Sequence, residues 1–226
     1  MNALIKESFL ESLRLFRLSE ASIPTLLMPL LFYWVSLGLF NLMDYRMLMA
    51  IVIIASMTPG AFSGAIYVAN ERQSGWLNLR WQFGKLNWWL SKQVALAITA
   101  LVASTLVILL ATLTGQVVIS WQQVVQLLLL SLLTSVVFAS LGIAMGMLLS
   151  ESGAIAVVNV IFFPLVIVSG ITVPLSSLPS WLAQAAPWLP PMQLLQLSNG
   201  EPTLGLITTA VGCALLTIGS FRLCRY

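Results

Sequence analysis

Long apolar runs divide the chain into blocks, and most of the few charged residues lie in the short polar segments between them. A helix of about 20 residues crosses a hydrocarbon core about 30 Å thick, because each residue adds about 1.5 Å. The pattern predicts an all-α integral membrane protein with one domain over residues 1–226. We expect six transmembrane helices, near residues 23–40, 47–69, 93–114, 124–149, 154–172 and 203–221.

Residues 1–20 carry too many charges to cross a membrane, yet they form an amphipathic pattern on a helical wheel. The apolar face consists of Ile5, Phe9, Leu13 and Phe16. The opposite face carries Glu7, Glu11 and Arg14. This arrangement predicts a helix lying in the membrane interface. A plain lead-in to the first span, without a role of its own, fits the pattern equally well.

Before the sixth span, residues 173–202 are rich in proline and poor in charge, and they include Trp181 and Trp188. A solvated loop would carry more charge, and a further span would contain fewer prolines. We therefore expect short helices that lie on the outer leaflet or dip into it.

Small residues indicate where helices approach closely. Gly60 and Gly64 in the second span, and Gly142 and Gly146 in the fourth, each form a G-x-x-x-G pair. Such pairs allow backbones to come near one another. We expect them to pack inside the subunit, with a seam between two copies as the less favoured alternative.

Composition excludes a soluble globular domain. The 226 residues are 59% hydrophobic and only 8% charged, with a mean hydropathy of +0.99, whereas soluble domains carry about 25% charged residues. The net charge is +3, but the basic residues are scattered singly at the ends of apolar runs. We therefore expect the protein to lie in a lipid bilayer and to have no nucleic-acid partner.

The distribution of Lys and Arg predicts the orientation, because cytoplasmic loops of membrane proteins are enriched in both. With a cytoplasmic N-terminus, only Arg46 of the ten Lys and Arg residues lies outside. Both termini and the polar segment 70–92 are then cytoplasmic. The inner set is Lys6, Arg14, Arg17, Arg72, Arg80, Lys85, Lys92, Arg222 and Arg225.

The chemistry of an enzyme or an ion-coupled carrier is missing from the predicted spans. The chain has no histidine, no cluster of Cys or carboxylates with metal-ligand spacing, and carboxylates only at span ends or in loops. It also lacks the glycine-rich phosphate-binding loop of P-loop ATPases. We expect no catalytic residue, no metal and no cofactor in this chain, so energy for active transport would come from another polypeptide.

Two motifs resemble those of a known family. Residues 70–75 (NERQSG) are similar to the Glu-Arg-Glu-x-Gly-Thr stretch of type-2 ABC exporter permeases, with Gln73 in place of the usual acid and Trp76 in place of threonine. Residues 163–187 contain the family's Phe-Pro, Ser-Gly, Pro-Leu, Pro-x-Trp-Leu and closing Pro in order. The resemblance covers essentially the whole chain.

The resemblance implies that segment 70–92 contains a cytoplasmic coupling helix that docks into a groove of an ATPase subunit. An interfacial loop held by its tryptophans is the alternative. The turn 150–153 would form a second contact, although a serine capping the next helix explains it as well. The implied coupling residues are Glu71, Arg72, Gly75, Trp76, Arg80 and Glu151.

In relatives the second and fifth spans usually line a substrate cavity, although such residues more often serve packing than ligand contact. The resemblance also implies a second permease copy or a homologous permease, two separate ATPase subunits that hold Mg-ATP, and a bacterial inner or plasma membrane. The candidate cavity residues are Phe62, Ser63, Ile66, Asn159, Phe162 and Phe163.

These expectations predict the membrane subunit of an ATP-driven exporter. Its substrate would be apolar or amphiphilic, such as a lipid, a hydrophobic drug or a lipopeptide, because the implied cavity contains no charge. A membrane assembly or immunity factor that binds a partner or ligand without net transport is the alternative. An integral membrane enzyme is a more distant one.

Overall fold

A computed structural model describes residues 8–14, 19–40, 44–82, 84–170 and 175–199, together with residues 212, 215 and 219. Throughout these ranges the chain forms helices and turns without a strand, which confirms the predicted all-α class. The helices are α1 (residues 8–14), α2 (Ser19–Phe40), α3 (Tyr45–Thr58), α4 (Gly64–Gln73), α5 (Trp76–Trp81), α6 (Lys85–Leu113), α7 (Trp121–Leu148), α8 (Glu151–Val168), α9 (Ser180–Ala185) and α10 (Pro190–Ser198).

Four helical segments are long and apolar enough to cross a membrane, and they correspond to predicted spans two to five. They are Tyr45–Gln73, Lys85–Leu113, Trp121–Leu148 and Glu151–Val168. The first predicted span falls in α2, whose apolar stretch Thr25–Gly38 is shorter. The sixth predicted span lies outside the described residues apart from isolated positions, so the total of six stays a prediction.

The segment Tyr45–Gln73 is the centre of the bundle. Of its most apolar window, 89% is buried, compared with 22% for Glu151–Val168. It packs against α6 and α7, and α8 lies at the periphery. Capping side chains define several helix starts: the Asp44 carboxylate accepts from Met47 N at 2.7 Å, and Ser120 forms a capping box with Gln123.

A widened turn, Pro59–Ser63, connects α3 to α4 inside this central segment. The Gly64 N–H donates to the Pro59 carbonyl, five residues earlier, as in a π-helical turn. The turn carries Ser63 toward α2, where its hydroxyl lies 3.0 Å from that of Thr25. Polar contacts of this kind between membrane helices help to fix their register, each with a contribution of about 0.6 kcal/mol.

The two G-x-x-x-G pairs face each other across the contact between the central segment and α7. A Cβ on Gly142 would overlap the Gly60 carbonyl oxygen. A Cβ on Gly146 would lie 2.5 Å from the Ala65 carbonyl oxygen, and one on Gly60 would lie 2.6 Å from Ala139 N. The expectation that these glycines pack within the subunit is therefore confirmed.

The segment before the predicted sixth span contains short helices, as expected from its prolines. Short 3-10 turns, Leu175–Ser177 and Ala186–Trp188, accompany α9 and α10. Gln126 of α7 donates its side-chain amide to the Ser198 carbonyl at 2.6 Å, which ties the end of α10 to the bundle. The outer-leaflet location of this segment stays a prediction.

Replacing Gly142 by alanine should destabilise the protein by about 1 to 3 kcal/mol, because the added methyl has no room against the Gly60 backbone. Gly38→Ala is the matched control, since a Cβ there meets nothing within 4 Å. We expect the control to be neutral or slightly stabilising. Thermal unfolding in detergent measures both, and equal melting temperatures for the two variants would contradict the close crossing.

Candidate functional site

The link between the second and third predicted spans is shorter than the polar segment 70–92. Helix α4 continues to Gln73 and α6 begins at Lys85, so the connection is residues 74–84 with α5 at its centre. Gly75 (φ 78°) and Gly84 (φ 111°) bound α5 in left-handed conformations that favour glycine. The structure therefore contains a short separate helix at the position where a coupling helix is expected.

Helix α5 presents two large apolar side chains outward. Trp76 is 59% exposed and Leu79 is 52% exposed, whereas Leu77 between them is buried against Tyr67 and Trp88. Phe83, the next residue at this helical spacing, lies outside the described residues. An exposed Trp and Leu on one short helix form a surface that fits either a membrane interface or a protein groove.

Four charged side chains meet behind α5 and form a buried charge cluster of Glu11, Glu71, Arg80 and Lys92. Lys92 Nζ lies 2.6 Å from Glu11 Oε2 and 2.8 Å from Glu71 Oε1. Arg80 Nη1 lies 3.0 Å from Glu71 Oε1 and also contacts Glu11 Oε1. The cluster joins α1, α4, α5 and α6, and its two positive and two negative charges balance.

Aromatic side chains complete the surroundings of the cluster. Lys92 is only 2% exposed, and its Nζ lies 3.7 Å from the centre of the Tyr67 ring. The indole N–H of Trp88 donates to Glu71 Oε2 at 3.1 Å. Buried charges are tolerated when they are paired and hydrogen-bonded. Glu71 and Lys92 meet this condition.

Electrostatics in the cluster favours the ionised forms of Glu11 and Arg80. Burial alone would raise the pKa of Glu11, but the neighbouring Lys92 and Arg80 outweigh it and hold that pKa below its ordinary value. Burial alone would lower the pKa of Arg80, yet Glu71 and Glu11 raise it. Both side chains therefore stay charged at neutral pH.

The cluster changes how two expectations are interpreted. Glu71, expected at the entry of a docking surface, is buried inside the protein. Glu11, on the predicted polar face of α1, is buried, whereas Phe9 and Leu13 of the predicted apolar face are exposed. Sequence reasoning missed the pairing of Glu11 with Lys92. The signal that could have indicated this pairing is that charged residues are rare in the chain and that Glu11 and Lys92 have opposite charges.

The remaining coupling candidates lie nearby and tie α4 to the turn between α7 and α8. Arg72 Nη2 donates to the Leu149 carbonyl at 2.7 Å. Asn70 Nδ2 donates to Glu151 Oε2 at 3.2 Å. Ser150 caps α8, because its hydroxyl accepts a hydrogen bond from Gly153 N. The turn therefore both caps a helix and contacts α4.

Only part of the candidate cavity set comes together. The Phe62 and Phe162 rings meet edge to face at 5.1 Å, and Phe163 lies 5.9 Å from Phe162. Ser63 instead pairs with Thr25 of α2, and Asn159 donates its side-chain amide to the Ile155 carbonyl in its own helix. Ile66 is half-buried in α4.

A small apolar cavity lies beside Phe162. Its volume is about 40 Å³, and Phe138, Gly142 and Val158 also line it. A cavity of this size holds about one small group. It is too small for a lipid or a drug.

The model of the ABC-2 family transporter proteins matches residues 17–221. The chain belongs to this family. No curated protein and no solved structure matches it significantly. This ABC-2 protein is therefore a membrane component of an ABC transporter, which confirms the permease family suggested by its motifs.

Replacing Lys92 by methionine should destabilise this ABC-2 protein by about 3 to 5 kcal/mol, because two buried carboxylates lose a shared partner. Lys85→Met is the matched control. Lys85 is exposed and lies 4.2 Å from the Trp81 ring, so its loss should change stability by less than about 1 kcal/mol. The melting temperatures of both variants are measured in detergent. Equal shifts in melting temperature for Lys92→Met and Lys85→Met would argue against a buried ionic cluster.

The ABC-2 protein should also lose stability in acid. Because the folded state lowers the pKa of Glu11, the stabilisation by Glu11 is complete above its ordinary value of 4.5 and disappears as the pH falls through the folded-state pKa. Melting temperatures from about pH 6 to about pH 3 measure this loss. Glu11→Gln should start less stable and depend less on pH; an unchanged slope in that variant would contradict this role.

Proposed function

We propose that this ABC-2 protein is the transmembrane subunit of an ATP-driven exporter, and that α5 docks into a groove of a separate ATPase subunit. The observation that carries this proposal is the outward face of α5, with Trp76 and Leu79 exposed on a short helix bounded by two left-handed glycines. Large apolar side chains on a rigid element are typical anchors of protein interfaces. The alternative of a loop held in the membrane interface would use the same side chains.

The charge cluster supports mechanical coupling through α5. Arg80 of α5 contacts Glu11 of α1 and Glu71 of α4, and both carboxylates contact Lys92 of α6. A movement of α5 would therefore displace three other helices as one body instead of bending a loop. Rigid-body movement of this kind is one of the common ways in which an ATP-driven change reaches a distant site.

Mg-ATP would bind in the ATPase subunit. The distribution of Lys and Arg supports a cytoplasmic location for both termini and for α5, in a bacterial inner or plasma membrane. In that orientation α5 faces a cytoplasmic ATPase, and transport proceeds outward from the cytoplasm or the inner leaflet.

The substrate pathway would lie between this chain and a second permease, either a copy or a homologue. The cavity beside Phe162 is too small for a substrate, while α8 keeps an apolar face exposed, including Val160 and Phe163. A pathway lined by such residues suits an apolar or amphiphilic compound, such as a lipid, a hydrophobic drug or a lipopeptide.

The double variant Trp76→Ala with Leu79→Ala should weaken ATPase binding at least tenfold, because truncating an interface anchor costs roughly 1 to 2 kcal/mol. Stability should change little, since both side chains are exposed. Trp121→Ala with Leu129→Ala is the matched control: it removes an exposed Trp and an exposed Leu from α7. Co-purification of the ATPase and export from membrane vesicles provide the measurements.

Retained ATPase binding in the α5 double variant would contradict docking through this helix. An equal loss of ATPase binding in the α7 control would mean that general damage to the protein caused the effect. An intact complex that hydrolyses ATP and moves no compound would favour the alternative function, a membrane assembly or immunity factor. The substitution Glu71→Lys is unsuited to this test, because it would place a third cation in the buried cluster.

A further inference from the structure

An open cleft lies between α1, the end of α4 and α5. Its volume is about 430 Å³. Arg14, Asn70, Ser74 and Arg80 line it, together with the carboxylate of Glu71 and the rings of Tyr67 and Trp76. The coupling proposal uses the outward face of α5 and does not explain this cleft.

Among the described residues of the cleft and the charge cluster, cationic side chains exceed anionic ones by one. Within the charge cluster, Glu11 and Glu71 balance Arg80 and Lys92. Arg14 is additional: it lies 3.6 Å from Glu11, a carboxylate that Lys92 and Arg80 already contact, and its side chain is 55% exposed. The cleft therefore fits a ligand group with a single negative charge.

The neighbours of Arg14 indicate the level at which the ligand would lie. Leu10 and Leu13, within one turn of Arg14 on α1, are exposed together with Phe9. Trp76, also exposed, lines the cleft itself. Arginine next to exposed aliphatic side chains, with a tryptophan nearby, is typical of the headgroup level of a bilayer. A soluble anion would gain nothing from these apolar side chains.

We propose that this cleft binds the headgroup of a monoanionic phospholipid. The phosphate lies beside Arg14 and Arg80, which donate charge-assisted hydrogen bonds to its oxygens. The headgroup hydroxyls meet the polar side chains of Asn70 and Ser74, and the acyl chains run along the exposed leucines of α1. The site rests on Arg14, Asn70 and Ser74, which lie outside the proposed docking face of α5, and the two surfaces share Trp76.

Lipid binding to the full-length protein tests this site, with dioleoylphosphatidylglycerol as the probe and dioleoylphosphatidylcholine as its zwitterionic counterpart. Native mass spectrometry of the delipidated protein measures the retained lipid. Arg14→Gln should lower phosphatidylglycerol affinity about fivefold to tenfold, as expected for the loss of a charge-assisted contact. Arg46→Gln, which removes another exposed arginine at the start of α3, is the matched control and should bind as the unchanged protein does.

Each result bears on the proposal. A preference for phosphatidylglycerol that is lost only in Arg14→Gln supports it, and a melting temperature equal to that of the unchanged protein shows that the variant still folds. Equal affinity for both lipids, or equal loss in Arg46→Gln, overturns it. Displacement of the lipid by inorganic phosphate would assign the cleft to a soluble anion instead. Loss of ATPase co-purification with lipid binding intact would assign it to the protein interface, which also overturns the proposal.

Discussion

The ionic contacts of Lys92 hold together the part of the protein from which α5 projects. An isolated ammonium group this deeply buried would be strongly unfavourable, so its two contacts with Glu11 and Glu71 constrain where α1 and α4 lie relative to α6. Arg80 extends the same constraint to α5. Because removing any one member leaves the buried cluster with an uncompensated charge, the four helices are positioned as a unit.

Close packing provides the second constraint, within the apolar part of the bundle. In lipid, burial of apolar surface gives little drive for helices to associate, so van der Waals contact between backbones matters more. The facing glycines of the central segment and α7 allow this contact. The bundle is thus held by ionic pairing at one end and by close backbone contact along its length. Helix α8 takes little part in these contacts and is mostly exposed.

These two constraints relate the fold to transport. A short helix that is exposed outward and bound inward by ion pairs is suited to pass a movement from a partner to the spans, whereas a flexible loop would absorb it. The same arrangement presents two surfaces that meet at Trp76: the outward apolar face of α5 and the cleft between α1, α4 and α5. In our proposals the first surface would bind an ATPase subunit and the second the headgroup of a lipid.

The sequence alone indicated the membrane class, four long apolar helices, the short helices after α8 and the family. Each depends on local properties, namely the length of an apolar run, proline content or a contiguous motif. Only the tertiary structure decided that Glu71 is buried, that Phe62 meets Phe162 while Ser63 turns toward α2, and that Glu11 pairs with Lys92. Glu11 and Lys92 are 81 residues apart, and a pairing at that separation depends on how the helices pack, which no local pattern encodes.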